Sequence, residues 1–106
     1  GERMDTQLKK GVLELAILYQ LRDAEEYGYE IMKQVREPFP DVYEGSVYAI
    51  LRRLAAEGLA ESVLRPSDAG PPRKYYRLTS AGQEALTASL AEWKALLDGL
   101  SRLGLP

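Results

Sequence analysis

The sequence predicts a mainly α-helical chain of the α+β class, in the order helix, helix, helix, β-hairpin and long C-terminal helix. Three observations predict this order. Apolar residues recur at helical spacing before residue 58, the pattern then changes to two short strand-like segments around SDAGPP, and leucines recur four and three residues apart after residue 79. The length of 106 residues fits one globular domain with a modest core.

The first helix is predicted over residues 6–22 and is apolar on two faces. One face carries Leu8, Val12, Leu15 and Tyr19, and the other carries Leu13, Ile17 and Leu21. A helix that is apolar nearly all round has to be covered on more than one side. We therefore expect one face in the core and the other against a second surface.

The second and third helices are short and are separated by the loop PFPDVYEG. The second follows the break DAEEYGY and is ended by Pro38, whereas the third begins at Ser46 and is ended by Gly58. The apolar stripe of the third helix consists of Val47, Ile50, Leu51 and Leu54, and the opposite face consists of Gly45, Ala49, Arg52 and Ala56. Because that outer face is small and partly basic, its backbone can approach another surface closely.

Two strands, LAESVLRP and RKYYRLT, precede a helix that Thr79 is placed to cap and that we expect to run to about Leu103. The apolar seam of this helix consists of Leu86, Leu90, Trp93, Leu97 and Leu100, widened by Leu96 and Leu103. The spacing is that of a coiled coil. Left exposed on a monomer, the seam would form a larger apolar patch than soluble monomers tolerate, so we expect a homodimer in which this helix packs against helix one of the partner.

Three helices followed by a hairpin is the order of a winged helix-turn-helix, whose third helix enters the DNA major groove while the wing contacts the flanking backbone. The net charge is −2, but basic and acidic side chains are concentrated in different segments. Residues 65–77 hold four basic residues and one acidic residue, whereas residues 23–44 hold seven acidic and two basic ones. Basic side chains beside phosphates release condensed counterions. We expect residues 1–78 to form the DNA-binding domain and residues 79–106 the C-terminal dimerisation helix.

Four segments together resemble the PadR-type transcriptional regulators: KKGVLELAILYQL, YGYEIMKQV, EGSVYAILRRLAAEGL and GPPRKYYRLTSAG. The single long C-terminal helix resembles the short subclass of that family. The resemblance implies a dimeric winged-helix repressor that binds double-stranded DNA, in our expectation at a pseudo-palindromic operator. Its DNA-contact pattern falls on Ser46, Tyr48, Arg52 and Arg53 of the third helix, and on Arg73, Lys74 and Tyr75 of the wing.

Several of these residues have a second interpretation that involves no DNA. Ser46 could cap the third helix or stand in its first turn, Tyr48 could close the edge of the core, and Arg53 could pair with Glu57 at i, i+4 spacing. Tyr75 and Tyr76 alternate along a strand, so one should face the core and the other solvent or DNA. The register of the strand decides which of the two faces outward.

Some members of the resembled family bind planar aromatic effectors at the dimer interface. Trp93 on the seam could be plain packing, or two dimer-related copies could leave a flat slot for an aromatic or cationic compound. Leu97 and the outer face of helix one, especially Leu15 and Tyr19, would line that slot. An effector there would change the separation of the two recognition helices and thereby release the operator.

The composition argues against other functions. The absence of cysteine and histidine removes thiol chemistry, the usual zinc ligands and the commonest general base, and no nucleophile and base pair can be assembled. We therefore expect no enzyme, no metal and no cofactor. Without a long apolar run or a signal-peptide core, we expect a cytoplasmic protein with no membrane partner. The alternative function is a winged-helix module for protein interaction, without sequence-specific DNA binding.

Overall fold

The structure, a computed structural model, describes residues 6–106, with side chains from Leu8 onward. Within this range the elements are α1 (Thr6–Gln20), β1 (Glu26–Tyr27), α2 (Gly28–Arg36), α3 (Glu44–Ala56), β2 (Ala60–Arg65), β3 (Arg73–Leu78) and α4 (Ser80–Arg102). The predicted order of helices, hairpin and long last helix is confirmed. The fold is a winged helix-turn-helix extended by α4.

The first three helices pack around one apolar core, to which the sheet and the start of α4 contribute. One of the two predicted apolar faces is buried at Leu13, Ile17 and, just beyond the end of α1, Leu21, whereas the other face is exposed at Leu8 and Tyr19. The rest of the core consists of Leu18, Ile31, Met32, Val35, Val42, Val47, Ile50, Leu51, Leu54, Ala60, Tyr76 and Leu86. The whole predicted stripe of α3 is therefore inside, and this leaves its opposite face to solvent.

The sheet has three strands in the described residues, not the two of the expected hairpin. The extra strand, β1, pairs with β3 on the side away from β2, giving the antiparallel order β1-β3-β2. Its two residues pair with Tyr76 and Tyr75, and two residues are too few to show a period in the sequence. This short strand ties the beginning of α2 to the wing.

The junction between α3, β2 and α4 is closely connected. Gly58 ends α3 with a positive φ of 77°, as the sequence predicted, because glycine adopts this conformation without a steric penalty. The Thr79 hydroxyl donates to the Gly58 carbonyl at 2.6 Å and accepts from the Gly82 N–H at 3.1 Å, which confirms its role as N-cap. A side chain at Gly82 would collide with the Leu59 carbonyl. The start of α4 is thus fixed against the end of α3.

The helix α4 leaves the core after its second turn. Leu86 is buried and Leu90 and Trp93 are half-buried, but Leu97 and Leu100 further along the predicted seam are 59% and 43% exposed. The molecule is elongated, with principal extents of 53 × 36 × 20 Å. None of the helices within residues 6–106 is long and apolar enough to cross a membrane.

Candidate nucleic-acid interface

The outer face of α3 and strand β3 of the wing form the walls of an open cleft of about 270 Å³. The first turn of α2 closes one end. The lining residues come from four elements and are Tyr27, Gly28, Tyr29, Tyr48, Arg52, Lys74 and Tyr76. Three of the predicted DNA contacts, Tyr48, Arg52 and Lys74, therefore meet at this one site.

The third helix begins two residues earlier than the sequence predicted. It starts at Glu44, and Tyr43 is the N-cap residue without a side-chain hydrogen bond to the helix. Ser46 is thus the third residue of the helix, with its N–H donating to the Tyr43 carbonyl at 2.9 Å. The interpretation of Ser46 as the N-cap is wrong. Its half-exposed position in the first turn is compatible with the first-turn alternative and with the predicted DNA contact.

Tyr48 combines the two roles that the sequence left open. Its ring packs against the edge of the core, and the residue also lines the cleft. Burial, reinforced by the negative charge of Glu44, raises the pKa of the Tyr48 phenol above its usual value. The hydroxyl therefore stays protonated at neutral pH and is able to donate a hydrogen bond.

The two arginines of α3 differ in their partners. Arg53 lies 3.3 Å from Glu14 of α1 and 3.2 Å from Glu57, so the predicted pairing with Glu57 is confirmed and a second ion pair is added. Arg52 is exposed, lines the cleft and has no carboxylate partner among the residues that the structure describes. A free cation facing outward is the better placed of the two to meet a phosphate.

The register of β3 answers which tyrosine of the wing is buried. Tyr76 is 4% exposed and lies in the core, whereas Tyr75 is half-buried on the opposite face of the strand. Tyr75 stacks on its cross-strand partner Tyr27 with ring centroids 5.4 Å apart. The Arg73 guanidinium lies 4.9 Å from the centroid of the same Tyr27 ring, and Arg73 has no carboxylate partner within residues 8–106.

Two other basic residues of the wing are occupied by carboxylates. Arg65 makes a bidentate pair with Glu25, with both nitrogen-to-oxygen distances 2.8 Å, and Arg77 lies 2.9 Å from Glu61. The first pair joins the end of β2 to the segment before β1, and the second crosses from β3 to β2. These pairs hold the wing, and they leave Arg73 and Lys74 as its cations without a carboxylate in the described part of the chain.

Sequence reasoning missed Tyr27 and Tyr29 as parts of the site. Tyr29 is 46% exposed at the start of α2, and the Lys33 ammonium lies 5.2 Å from its ring centroid. Both tyrosines lie in the segment YGY, which belongs to the predicted break before the second helix. Tyr27 stands in the two-residue strand β1, and its ring stacks on Tyr75 of the wing.

The predicted effector residues are not all brought together within one chain. Trp93 and Leu97 line an apolar groove of about 440 Å³ along α4, together with Leu8 of α1. Leu15 instead packs against the core, and Tyr19 lies under the guanidinium of Arg22, 3.8 Å from its ring centroid. The remaining lining residues of the groove are Ala95, Leu96, Gly99, Leu100 and Leu103.

No cluster of three acidic side chains with the geometry of a metal site occurs in the portion of the chain that the structure describes. The side chains that line the cleft supply hydroxyl groups and cations. Such groups suit the recognition of an anionic backbone.

Comparison with known proteins gives a consistent result. Residues 17–88 match the "Transcriptional regulator PadR-like family". A transcriptional regulator of Mycobacterium tuberculosis is 35% identical over 96 residues, covering 91% of this chain and 85% of that protein.

Solved structures agree with the sequence matches. A Streptococcus transcriptional regulator superposes with a TM-score of 0.84 at 34% identity, covering 95% of this chain and all of that one. A PadR-like transcriptional regulator from Bacillus cereus superposes with a TM-score of 0.80 at 39% identity, covering 92% and 96% of the two chains. The similarity thus extends over both the wing and the long C-terminal helix.

Proposed function

This chain belongs to the PadR-like family of transcriptional regulators, which bind DNA and are not enzymes, and we propose that it acts as a homodimeric repressor at a pseudo-palindromic operator. In this proposal α3 enters the major groove and the wing contacts the flanking backbone. A small hydrophobic or aromatic effector at the dimer interface releases the repressor. Each part is supported by a different feature of the chain.

The DNA contacts are supported above all by one observation. Arg52, Arg73 and Lys74, which come from α3 and β3, lack carboxylate partners among residues 8–106, although most neighbouring basic residues are paired. Cations kept apart from carboxylates are available to phosphates. Ser46, Tyr48 and Tyr75 would add hydrogen bonds to the DNA. Arg53 would contact the DNA only after its ion pairs with Glu14 and Glu57 are broken.

Homodimerisation is supported by the exposed apolar face of α4. Leu96, Leu97, Leu100 and Leu103 are 43% to 81% exposed and are continuous with the groove beside Leu8. Such a surface is costly to leave in water, and a second copy of α4 offers a matching one. The division into residues 1–78 for DNA binding and 79–106 for dimerisation belongs to this proposal.

The effector site is supported by Trp93, whose half-buried indole stands at one end of the apolar groove. A planar aromatic compound could stack on the indole with Leu97 beside it. Leu15 and Tyr19 do not line the groove of a single chain, so they would take part only if the dimer brings α1 of one protomer to the slot. The slot itself is formed by the dimer in this proposal.

Selection of bound DNA by the purified protein, followed by binding measurements at several salt concentrations, tests the proposed function. We expect enrichment of a palindrome, a steep fall in affinity with salt, and repression of a reporter whose promoter carries the palindrome. Recovery of no preferred sequence would contradict the proposal and favour the alternative of a protein-interaction module. A preferred sequence without two related half-sites would contradict only the dimeric operator.

Quenching of Trp93 fluorescence by planar aromatic compounds tests the effector site. Compounds that quench should also release the operator. Because Trp93 is the sole tryptophan of the sequence, the ligand affinity of Trp93→Leu is measured by isothermal titration calorimetry, and it should fall while DNA binding stays intact. Tyr43→Leu, a substitution at an exposed tyrosine that does not line the groove, serves as the control. Unaltered ligand affinity in Trp93→Leu would contradict the proposed slot.

A further inference from the structure

Gly28 allows the first turn of α2 to lie close to β3 beside the cleft. A side chain added at Gly28 would meet the ring of Tyr76 at 3.2 Å and the carbonyl of Lys74 at 3.5 Å. Because Gly28 has no side chain, the first turn of α2 lies directly against β3. The pairing of β1 with β3 holds the same two elements together, so the cleft is a built feature of the fold.

Two cations from different elements face this space. Arg52 projects from α3 and Lys74 from β3, and both line the cleft. Of the carboxylates around it, Glu44 lies 3.2 Å from Arg36 and Glu30 lies 3.4 Å from Lys33, whereas Glu26, the cross-strand partner of Tyr76, has no basic partner among residues 8–106. No carboxylate is among the described residues that line the cleft, so its two cations leave a concentration of positive charge for one anion.

The remaining lining is aromatic and carries hydroxyl groups. Tyr29 and Tyr48 stand at the walls, and the buried Tyr76 forms the floor. Burial raises the pKa of Tyr76, and the positive charge of Arg52 opposes the rise. The site thus offers hydrogen-bond donors around the two cations.

We propose that this cleft binds one backbone phosphate of the DNA, which Arg52 and Lys74 contact together. The hydroxyls of Tyr29 and Tyr48 donate to the same phosphate group. This inference rests on the proposed DNA-binding function, and it adds that Arg52 and Lys74 contact the same phosphate. One phosphate between helix and wing fixes the position of α3 along the duplex, and this sets which base pairs its outer face can reach.

A scan of methylphosphonate-substituted duplexes tests whether the phosphate is shared. Each duplex carries the selected palindrome with one phosphate per half-site made neutral, and its affinity is measured with the unaltered protein, with Arg52→Gln and with Lys74→Gln. On unmodified DNA each substitution should weaken binding by about tenfold. We expect one and the same methylphosphonate position to abolish the effect of both substitutions. If the two effects were abolished at different positions, the shared phosphate would be wrong.

The salt dependence of the double variant gives an independent measurement. The slope of log affinity against log salt falls by about 0.9 for each phosphate that is no longer neutralised. Arg52→Gln combined with Lys74→Gln should lower the slope by about 0.9 per protomer, because one phosphate is lost. A fall of about 1.8 per protomer would mean two separate phosphates and would overturn the inference.

Matched variants separate this inference from general losses of charge or fold. Lys94→Gln removes an exposed cation of α4 that does not line the cleft, and it should leave the slope unchanged. Tyr29→Phe should weaken binding to unmodified DNA and have no effect on the methylphosphonate duplex identified with Arg52→Gln. Absence of any DNA binding by the unaltered protein would instead contradict the proposed function itself.

Discussion

Arg52 and Arg53 are neighbours in sequence with the same charge, but their surroundings differ. Arg53 is shared between Glu14 and Glu57, so it must give up two carboxylates before it can bind a phosphate. Arg52 has no such partner among residues 8–106, and in the proposed complex with DNA it gains a phosphate. The difference arises from their positions on the helix, since adjacent residues point in different directions.

Arg52→Ala is expected to weaken DNA binding roughly tenfold or more, and Arg53→Ala much less, because only the first residue is free to bind a phosphate. Fluorescence anisotropy with a labelled operator measures both affinities. Arg53→Ala should in addition lower the free energy of unfolding by up to about 1 kcal/mol through the lost surface ion pairs. Equal losses of DNA affinity in the two variants would contradict this assignment.

Thr79 carries two hydrogen bonds of the junction between α3 and α4. Thr79→Ala removes the acceptor for the Gly82 N–H and the donor to the Gly58 carbonyl. We expect the free energy of unfolding to fall by about 1 to 2 kcal/mol, measured by urea denaturation. Thr79→Ser should restore most of the loss.

The control for the cap is Thr87→Ala, which removes a hydroxyl from the interior of the same helix. The Thr87 hydroxyl donates to the Gln83 carbonyl at 3.1 Å, a bond that contributes little because the carbonyl already has a helical partner. Its removal should change stability by less than about 0.5 kcal/mol. A loss as large as that of Thr79→Ala would mean that the cap has no special role.

The wing is an element whose position depends on a few contacts outside its own strands. Its two strands, β2 and β3, pair with each other over six residues. Outside the hairpin, β3 has only two pairs with β1, and Arg65 at the end of β2 forms an ion pair with Glu25, the residue before β1. The hydrogen bond from Arg65 lowers the pKa of the Glu25 carboxyl below its ordinary value of 4.5. We therefore expect protonation of Glu25 to weaken this ion pair.

The sign of this effect follows from the direction of the shift. A carboxyl with a lowered pKa in the folded state stabilises the fold above its unfolded value and loses this contribution as the pH falls through the folded value. The pKa of Glu25, followed by carboxyl NMR signals, should lie below 4.5 in the unaltered protein and return toward 4.5 in Arg65→Gln. No difference between the two proteins would show that the ion pair does not form in solution.

Elements with several turns or a full strand period could be predicted from the sequence, and the shortest ones could not. The apolar stripe of α3, the stop at Gly58 and the cap at Thr79 are local signals and were predicted correctly. The strand β1 depends on pairing with residues almost fifty positions away, and two residues carry no period of their own. The start of α3 was misplaced because Tyr43, Glu44 and Gly45 carry no conventional cap.

The site was predictable to a similar degree. The residue types at α3 and the wing indicated a polyanion, but the partners of Arg53 and the burial of Tyr76 depend on tertiary packing. Glu14 is thirty-nine positions from Arg53 in the sequence, and no local pattern announces that contact. Only the structure therefore shows which basic side chains lack carboxylate partners and can bind a phosphate.

At the scale of the whole molecule, the apolar surface is unevenly distributed. The core is enclosed by α1 to α3, the sheet and the first turns of α4, while the far half of α4 displays leucines to water. The proposed dimer would cover this half and place two copies of α3 at a defined separation. Oligomerisation and DNA binding are then linked through α4.

Leu97→Asp combined with Leu100→Asp is expected to give a folded monomer, because two carboxylates on the seam oppose its burial against a second copy. Light scattering coupled to size-exclusion chromatography measures the mass, and circular dichroism checks the fold. Leu64→Asp, at a leucine that is 64% exposed on the wing, is the matched control and should stay dimeric. A monomeric unaltered protein at micromolar concentration would contradict the proposed dimer.

The closely connected junction at Thr79 also makes α4 a lever. Its 23 residues extend about 34 Å, so a tilt of about 5° at Thr79 moves the far end by about 3 Å. In the opposite direction, a displacement of several ångströms at the far end becomes a rotation of a few degrees at α3, because Gly82 against Leu59 leaves no slack. A large displacement at the C-terminal end of α4 would therefore correspond to a small change in the orientation of α3, the proposed recognition helix.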